Sequence, residues 1–83
     1  MITIYGKPTC GFCTKAKNFA TDRLLEFEYK DVQNAQFLEE LKEKLPNVSS
    51  IPQIWINGSH IGGYKEFATY VEETGYTGTG DTL

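Results

Sequence analysis

The sequence predicts a small α/β domain: a four-stranded mixed sheet flanked by three helices, in the order βαβαββα. Three observations carry this expectation. Apolar residues alternate at strand spacing in Met1 to Tyr5 and over most of Leu24 to Lys30, and they recur at helical spacing in the segments that follow. Asn57-Gly58, set between two runs of strand formers, marks a tight hairpin.

Each element has its own signal. Ile2, Ile4 and Tyr5 read as an inner strand, and Gly6-Lys7-Pro8-Thr9 as a loop, because Pro8 has no N–H to give to a continuing ladder. Thr9 or Cys10 caps the first helix. There Cys13, Ala16, Lys17 and Ala20 share a face, with Phe12 and Phe19 on the adjoining stripe. Leu24 to Lys30 is the second strand, broken by Asp31 to Asn34. Phe37, Leu38, Leu41 and Leu45 recur at helical spacing, Pro46-Asn47 stops that helix, and Glu39, Glu40, Lys42, Glu43 and Lys44 form its solvated face. Gln53-Ile54-Trp55-Ile56 and Ser59-His60-Ile61 are the antiparallel arms of the hairpin, which Gly62-Gly63 ends. Tyr64, Phe67, Ala68 and Val71 line one side of a last helix. Two strand-helix-strand crossings followed by a hairpin build the mixed sheet. Glycine and threonine dominate from Thr74 onward, so the domain spans 1–75 and 76–83 is a flexible tail.

Length and charge narrow the function. At 83 residues the chain is one domain near the lower size limit for a self-sufficient core. Cys10 and Cys13 are its only cysteines, and a bridge between them closes too short a loop to act as a staple. Eight Lys and Arg against eleven Asp and Glu leave a net charge of −3, which offers no broad basic surface for nucleic acid. The N-terminal apolar run is too short for a signal peptide, and nothing approaches a membrane span, so a soluble cytoplasmic protein is expected. Asn47-Val48-Ser49 and Asn57-Gly58-Ser59 match a glycosylation pattern without that context.

The chemistry lies in Cys10-Gly11-Phe12-Cys13. Two thiols one helical turn apart, opening a helix that follows a strand, can cycle between dithiol and disulfide. Cys10 is the nucleophile of the pair. Unpaired N–H groups and the positive end of the helix favour its thiolate, and Lys7 adds charge from the preceding loop. Cys13 lies a turn deeper against Ala16 and Ala20, suited to attack a mixed disulfide formed on Cys10. Gly11 leaves the approach open and Phe12 offers a flat surface beside it. A metal site is disfavoured, since structural zinc takes four ligands and only His60 could join the thiols. His60 itself reads as a partly exposed strand residue, Trp55 as packing, and Tyr5, Tyr29, Tyr70 and Tyr76 suggest no chemistry.

Ile51-Pro52 reads simply as a strand entry. Yet Ile51-Pro52-Gln53-Ile54-Trp55-Ile56-Asn57-Gly58 with His60-Ile61-Gly62-Gly63 resembles the glutaredoxin signature, and Cys10 to Cys13 stands where that family keeps its active pair. The resemblance runs from Met1 to about Glu73. It implies a thioredoxin-like fold of the dithiol type, a cis Pro52, and reduction of protein disulfides and glutathione mixed disulfides with glutathione as electron donor. No tightly bound cofactor is implied. Cys10 corresponds to the nucleophile and Cys13 to the resolving thiol. Lys7 corresponds to the basic residue near the glycine carboxylate of glutathione, Phe12 to an aromatic ring bordering the groove, and Ile51 to the residue whose backbone pairs with the cysteinyl part. Gly63 and Tyr64 correspond to the turn at the γ-glutamyl end.

The chain departs from the family pattern in three places along its length. Lys65 stands where an acidic or small polar residue commonly holds the γ-glutamyl amine; a cation there repels that amine and attracts the carboxylate. Ser49 and Ser50 replace a basic-plus-Thr pair, and Gly11-Phe12 replaces Pro-Tyr. The resemblance also implies partners: glutathione and disulfide-containing or glutathionylated proteins, with ribonucleotide reductase a candidate client, met by a monomer. Rival readings are an iron–sulfur cluster carrier, a thioredoxin-like donor reduced by a flavoprotein, and a binding module with incidental thiols.

Overall fold

The computed structural model describes residues 1–76. Among them the elements are β1 (Ile2–Gly6), α1 (Gly11–Asp22), β2 (Phe27–Asp31), α2 (Ala35–Lys44), β3 (Gln53–Ile56), β4 (Ser59–Gly62) and α3 (Tyr64–Thr74), in the expected order. The four strands make one mixed sheet in the spatial order β2-β1-β3-β4. β1 runs parallel to β2, with Ile2 opposite Phe27, and antiparallel to β3, with Ile4 opposite Ile54.

Alternation along β1 and β3 divides the interior between the two faces of the sheet. Ile2, Ile4, Ile54 and Ile56 meet Ala16 and Ala20 of α1 and Phe67 and Val71 of α3. Tyr5 and Trp55 point the other way and pack with Leu41 of α2, their rings edge-on at 5.4 Å. The sheet therefore carries α1 and α3 on one side and α2 on the other. At the hairpin, Asn57 and Gly58 take φ of 50° and 86°, the pair of left-handed residues that a primed two-residue turn requires. A bulge follows: Ile54 faces Gly62 and Trp55 faces His60, leaving Ile61 as the extra residue next to the turn into α3.

Several expectations change. The second strand begins at Phe27, because Leu24 and Leu25 belong to the end of α1. The N–H of Leu24 bonds the carbonyl of Thr21 at 3.0 Å and that of Leu25 bonds Ala20 at 2.9 Å, the paired bonds of a Schellman motif. Leu24 takes φ of 58° and is 88% exposed, while Leu25 is buried. The second strand-helix-strand crossing is not a parallel one, since β3 passes beyond β1 and pairs with its free edge antiparallel. Glu40 is not part of a merely solvated face: it accepts from the Tyr5 hydroxyl and pairs with Lys30 Nζ at 2.6 Å, tying α2 to the sheet. Lys17, grouped with the buried face of α1, is exposed, its Nζ 4.9 Å from the centre of the Tyr29 ring. Tyr76, assigned to the tail, is buried against the main core with its ring 6.2 Å from that of Tyr70. The remainder of the expected tail, 77–83, lies outside the described residues.

Candidate active site

β1 ends at Gly6, and a turn closed by the Cys10 N–H on the Lys7 carbonyl at 3.2 Å leads into α1. Pro8 occupies the turn position its fixed φ suits. The turn delivers Cys10 as the N-cap of α1, in extended conformation, so the sulfur itself satisfies a first-turn donor: Sγ accepts from the Cys13 N–H at 3.2 Å. Of the two caps the sequence allowed, Cys10 is the one used. Cys10 is half-buried, and its thiol donates to the Ile51 carbonyl at 3.8 Å. The Ile51–Pro52 bond is cis, as the resemblance implied.

Cys13 is fully buried one turn on. Burial, and then the hydrogen bond with Cys10, push its thiol up to about 11, so it stays protonated at neutral pH. One sulfur is reachable and held by a backbone dipole; the other is sealed and neutral behind it.

Beside Cys10 lies a groove of about 580 Å³. Phe12, Ile51, Pro52, Gly63, Tyr64 and Lys65 all line it, so six of the seven residues expected to hold glutathione come together. Lys7 does not line it; the residue is exposed on the turn that precedes Cys10. Phe12 is 59% exposed, its ring 6.3 Å from that of Tyr64 at a shallow 28° angle. Phe12 also borders a smaller hollow of about 300 Å³ with Cys10, Gly11 and Lys15, whose Nζ lies 5.3 Å from the ring centre. Phe12 thus links Cys10 to the groove.

The groove is also lined by Ser50, Gln53, Gly62 and Glu66, none of which was among the residues expected to hold glutathione. Glu66 enters the groove from the first turn of α3, where its Oε1 accepts the Gly63 N–H at 2.9 Å. Gly63 has no side chain to return that bond, so Glu66 alone caps the helix. A glutamate three residues after a helix-starting Gly was the available signal. Gln53, also in the lining, holds His60 Nε2 through its Oε1 at 2.8 Å, which keeps the lone histidine in a side-chain pair on the exposed hairpin. Trp55 is buried, as expected of a packing residue.

Comparison with known proteins agrees with this geometry. The glutaredoxin family profile matches residues 2–61. Glutaredoxin 1 of Escherichia coli is 33% identical over 78 residues, covering 84% of this chain and 91% of the relative. The solved structure of reduced E. coli glutaredoxin superimposes with a TM-score of 0.73 at 32% identity, over 87% of this chain and 93% of that one. A buckwheat glutaredoxin solved in complex with glutathione shares the fold, with a TM-score of 0.71 at 18% identity over 92% of this chain and 71% of that one.

Proposed function

The chain belongs to the glutaredoxin family, and we propose on that footing that it reduces glutathione mixed disulfides and protein disulfides through Cys10 and Cys13, with glutathione as electron donor. The observation that carries the reading is the asymmetry of the pair. Cys10 is half-buried at the edge of an open hollow and its Sγ accepts the Cys13 N–H at 3.2 Å, whereas Cys13 is buried and protonated behind it.

The reaction begins when the Cys10 thiolate attacks the glutathione sulfur of a mixed disulfide. A bond forms between Cys10 and that sulfur, the bond to the client breaks, and the client leaves as a thiolate that takes a proton from solvent. The 3.2 Å N–H bond steadies negative charge on Cys10 before attack and whenever Cys10 becomes the leaving group. Two exits follow. A second glutathione can attack the adduct, releasing oxidised glutathione and the Cys10 thiolate. Alternatively Cys13 attacks Cys10, releasing reduced glutathione and leaving a Cys10–Cys13 disulfide for two further glutathiones to reopen. When a protein disulfide is the substrate, Cys13 is the thiol already placed beside Cys10 to displace a client still tethered there.

The groove suits the tripeptide. Ile51 offers backbone next to Cys10, and Phe12 and Tyr64 give apolar ring faces. At the far end the first turn of α3 and Lys65 suit the γ-glutamyl carboxylate. Glu66, with an oxygen beyond the one bonded to Gly63, supplies the negative charge for the amine that Lys65 would repel. The glutathione seen in the buckwheat relative supports this ligand class. The proposed setting is cytoplasmic and monomeric, with glutathionylated and disulfide-bearing proteins as clients.

Turnover of a glutathione mixed disulfide, coupled to glutathione reductase, tests the roles. Cys10→Ser loses turnover, while Cys13→Ser retains it and loses reduction of protein disulfides. Retention of turnover by Cys10→Ser overturns the reading.

A further inference from the structure

Cys13 has a neighbour that the mechanism above does not use. Tyr29, in β2, sends its hydroxyl under the active-site turn. A Cβ placed on Gly6 would lie 2.7 Å from the Tyr29 hydroxyl, 2.7 Å from Cys13 Sγ and 2.9 Å from Cys13 Cβ. The two side chains therefore converge on the space left by a glycine at the end of β1. Gly6 stands opposite Asp31 in the sheet, two residues past Tyr29, so the parallel pairing of β1 and β2 sets this approach.

We propose that Tyr29 is the positioning residue of the resolving step, its hydroxyl donating to the Cys13 sulfur as the proton leaves and holding the thiolate for attack on Cys10. This inference rests on the two-cysteine exit proposed above. In that step Cys13 loses its proton, and its sulfur bonds Cys10 as the bond from Cys10 to glutathione breaks. The departing glutathione thiolate takes up one proton, so the exchange is balanced: the Cys13 sulfur is oxidised and the glutathione sulfur reduced. A sealed thiol is out of reach of bulk water as negative charge grows on it, and the Tyr29 hydroxyl adds a second donor to the backbone bond that Lys7 gives. Burial, with charge on Cys13 next, pushes the Tyr29 hydroxyl up to about 12, so it remains a donor throughout the working range and never serves as a base. Its effect on Cys13 is to lower the thiol against the larger upward push of burial.

The other groups that bear on the pair are few. Cys10 raises both hydroxyl and thiol while it is charged, and that influence vanishes once Cys10 carries glutathione. Lys7 reaches Cys13 through its backbone. Lys17 from α1 places Nζ 4.9 Å from the centre of the Tyr29 ring, and Asp31 acts on Tyr29 from β2.

The test loads Cys10 with glutathione from a glutathionylated peptide and follows, by quenched mass spectrometry, conversion of the adduct to the Cys10–Cys13 disulfide across neutral to alkaline pH. Tyr29→Phe keeps the ring and is expected to slow that conversion about threefold to tenfold at neutral pH, with its rise displaced to higher pH. Part of the loss of thiolate is offset because a more basic sulfur is the better nucleophile. A 3-fluorotyrosine placed at position 29, a stronger donor with the same packing, displaces the rise to lower pH. Profiles equal to that of the unmodified protein in both variants overturn the role of Tyr29 alone. An unmodified protein that never forms the Cys10–Cys13 disulfide overturns this inference together with the two-cysteine exit.

Discussion

The backbone N–H of Cys13 lies 3.2 Å from the sulfur of Cys10, so one thiol of the pair is also the cap of the helix that carries the other. Capping gives the sulfur a fixed direction toward the Ile51 carbonyl and the adjoining groove. The same helix carries Cys13 into the core. A single turn of helix therefore separates a half-buried sulfur from one fully buried behind it.

That separation predicts an order of modification. With limiting iodoacetamide at neutral pH, the label is expected on Cys10, with Cys13 labelled only after denaturation. Peptide mapping by mass spectrometry checks this. Equal labelling of both thiols in the folded protein contradicts the burial and protonation assigned to Cys13.

Stability should also fall in alkali. The Cys13 thiol rises from an ordinary 9.0 to about 11 in the fold, so the folded state holds its proton where the unfolded state has lost it. The contribution is complete below about pH 9, declines between about 9 and 11 as the unfolded thiol ionises first, and levels off above. The decline per pH unit is at most about 1.4 kcal/mol for one group. Tyr29, raised to about 12, extends it at higher pH. Denaturant titrations of the reduced protein from pH 8 to 11 measure the slope, which should be shallower in Cys13→Ser.

Leu24→Gly is expected to stabilise the protein by about 1 kcal/mol. Leu24 pays for a left-handed φ of 58° at the end of α1 and leaves its side chain 88% exposed, and glycine adopts that conformation without a Cβ penalty. The greater freedom of glycine in the unfolded chain offsets part of the gain. Urea midpoints compare the two proteins; a loss of stability would show that the exposed leucine contributes packing.

Lys65→Glu is expected to raise the KM for glutathione about threefold to tenfold, with a smaller effect on kcat, because it removes an exposed cation beside the groove and adds an anion next to Glu66. Steady-state kinetics at low and high salt check it. The difference between the variants should shrink as salt rises.

Local chemistry made much of this molecule legible in its sequence. Asn57-Gly58 specifies its own turn, Pro8 ends a strand, and alternation in Ile2 to Tyr5 and Ile54 to Ile56 assigns the two faces. Cys10 at a strand-to-helix junction was enough to place a thiol at the start of α1. What stayed hidden depends on contacts between distant segments. Nothing in Leu24-Leu25 signals a Schellman end, because leucine lacks the preference for φ above zero that glycine would have announced. β3 runs antiparallel along the edge of β1 that β2 leaves free, which its residues do not signal, since a strand pattern reads the same both ways. Glu40 looks like any solvated glutamate until Tyr5 and Lys30 reach it from β1 and β2. Tyr29 sits among alternating residues with no mark that its hydroxyl ends beneath Cys13.

In the proposed mechanism Cys10 alone receives substrate sulfur. Trapping measures it most directly: Cys13→Ser is mixed with a glutathionylated peptide, quenched with acid and mapped by mass spectrometry. One glutathione bound through Cys10 is the predicted result. Glutathione recovered on no cysteine of that variant, or on Cys13 of the Cys10→Ser protein, would contradict the account.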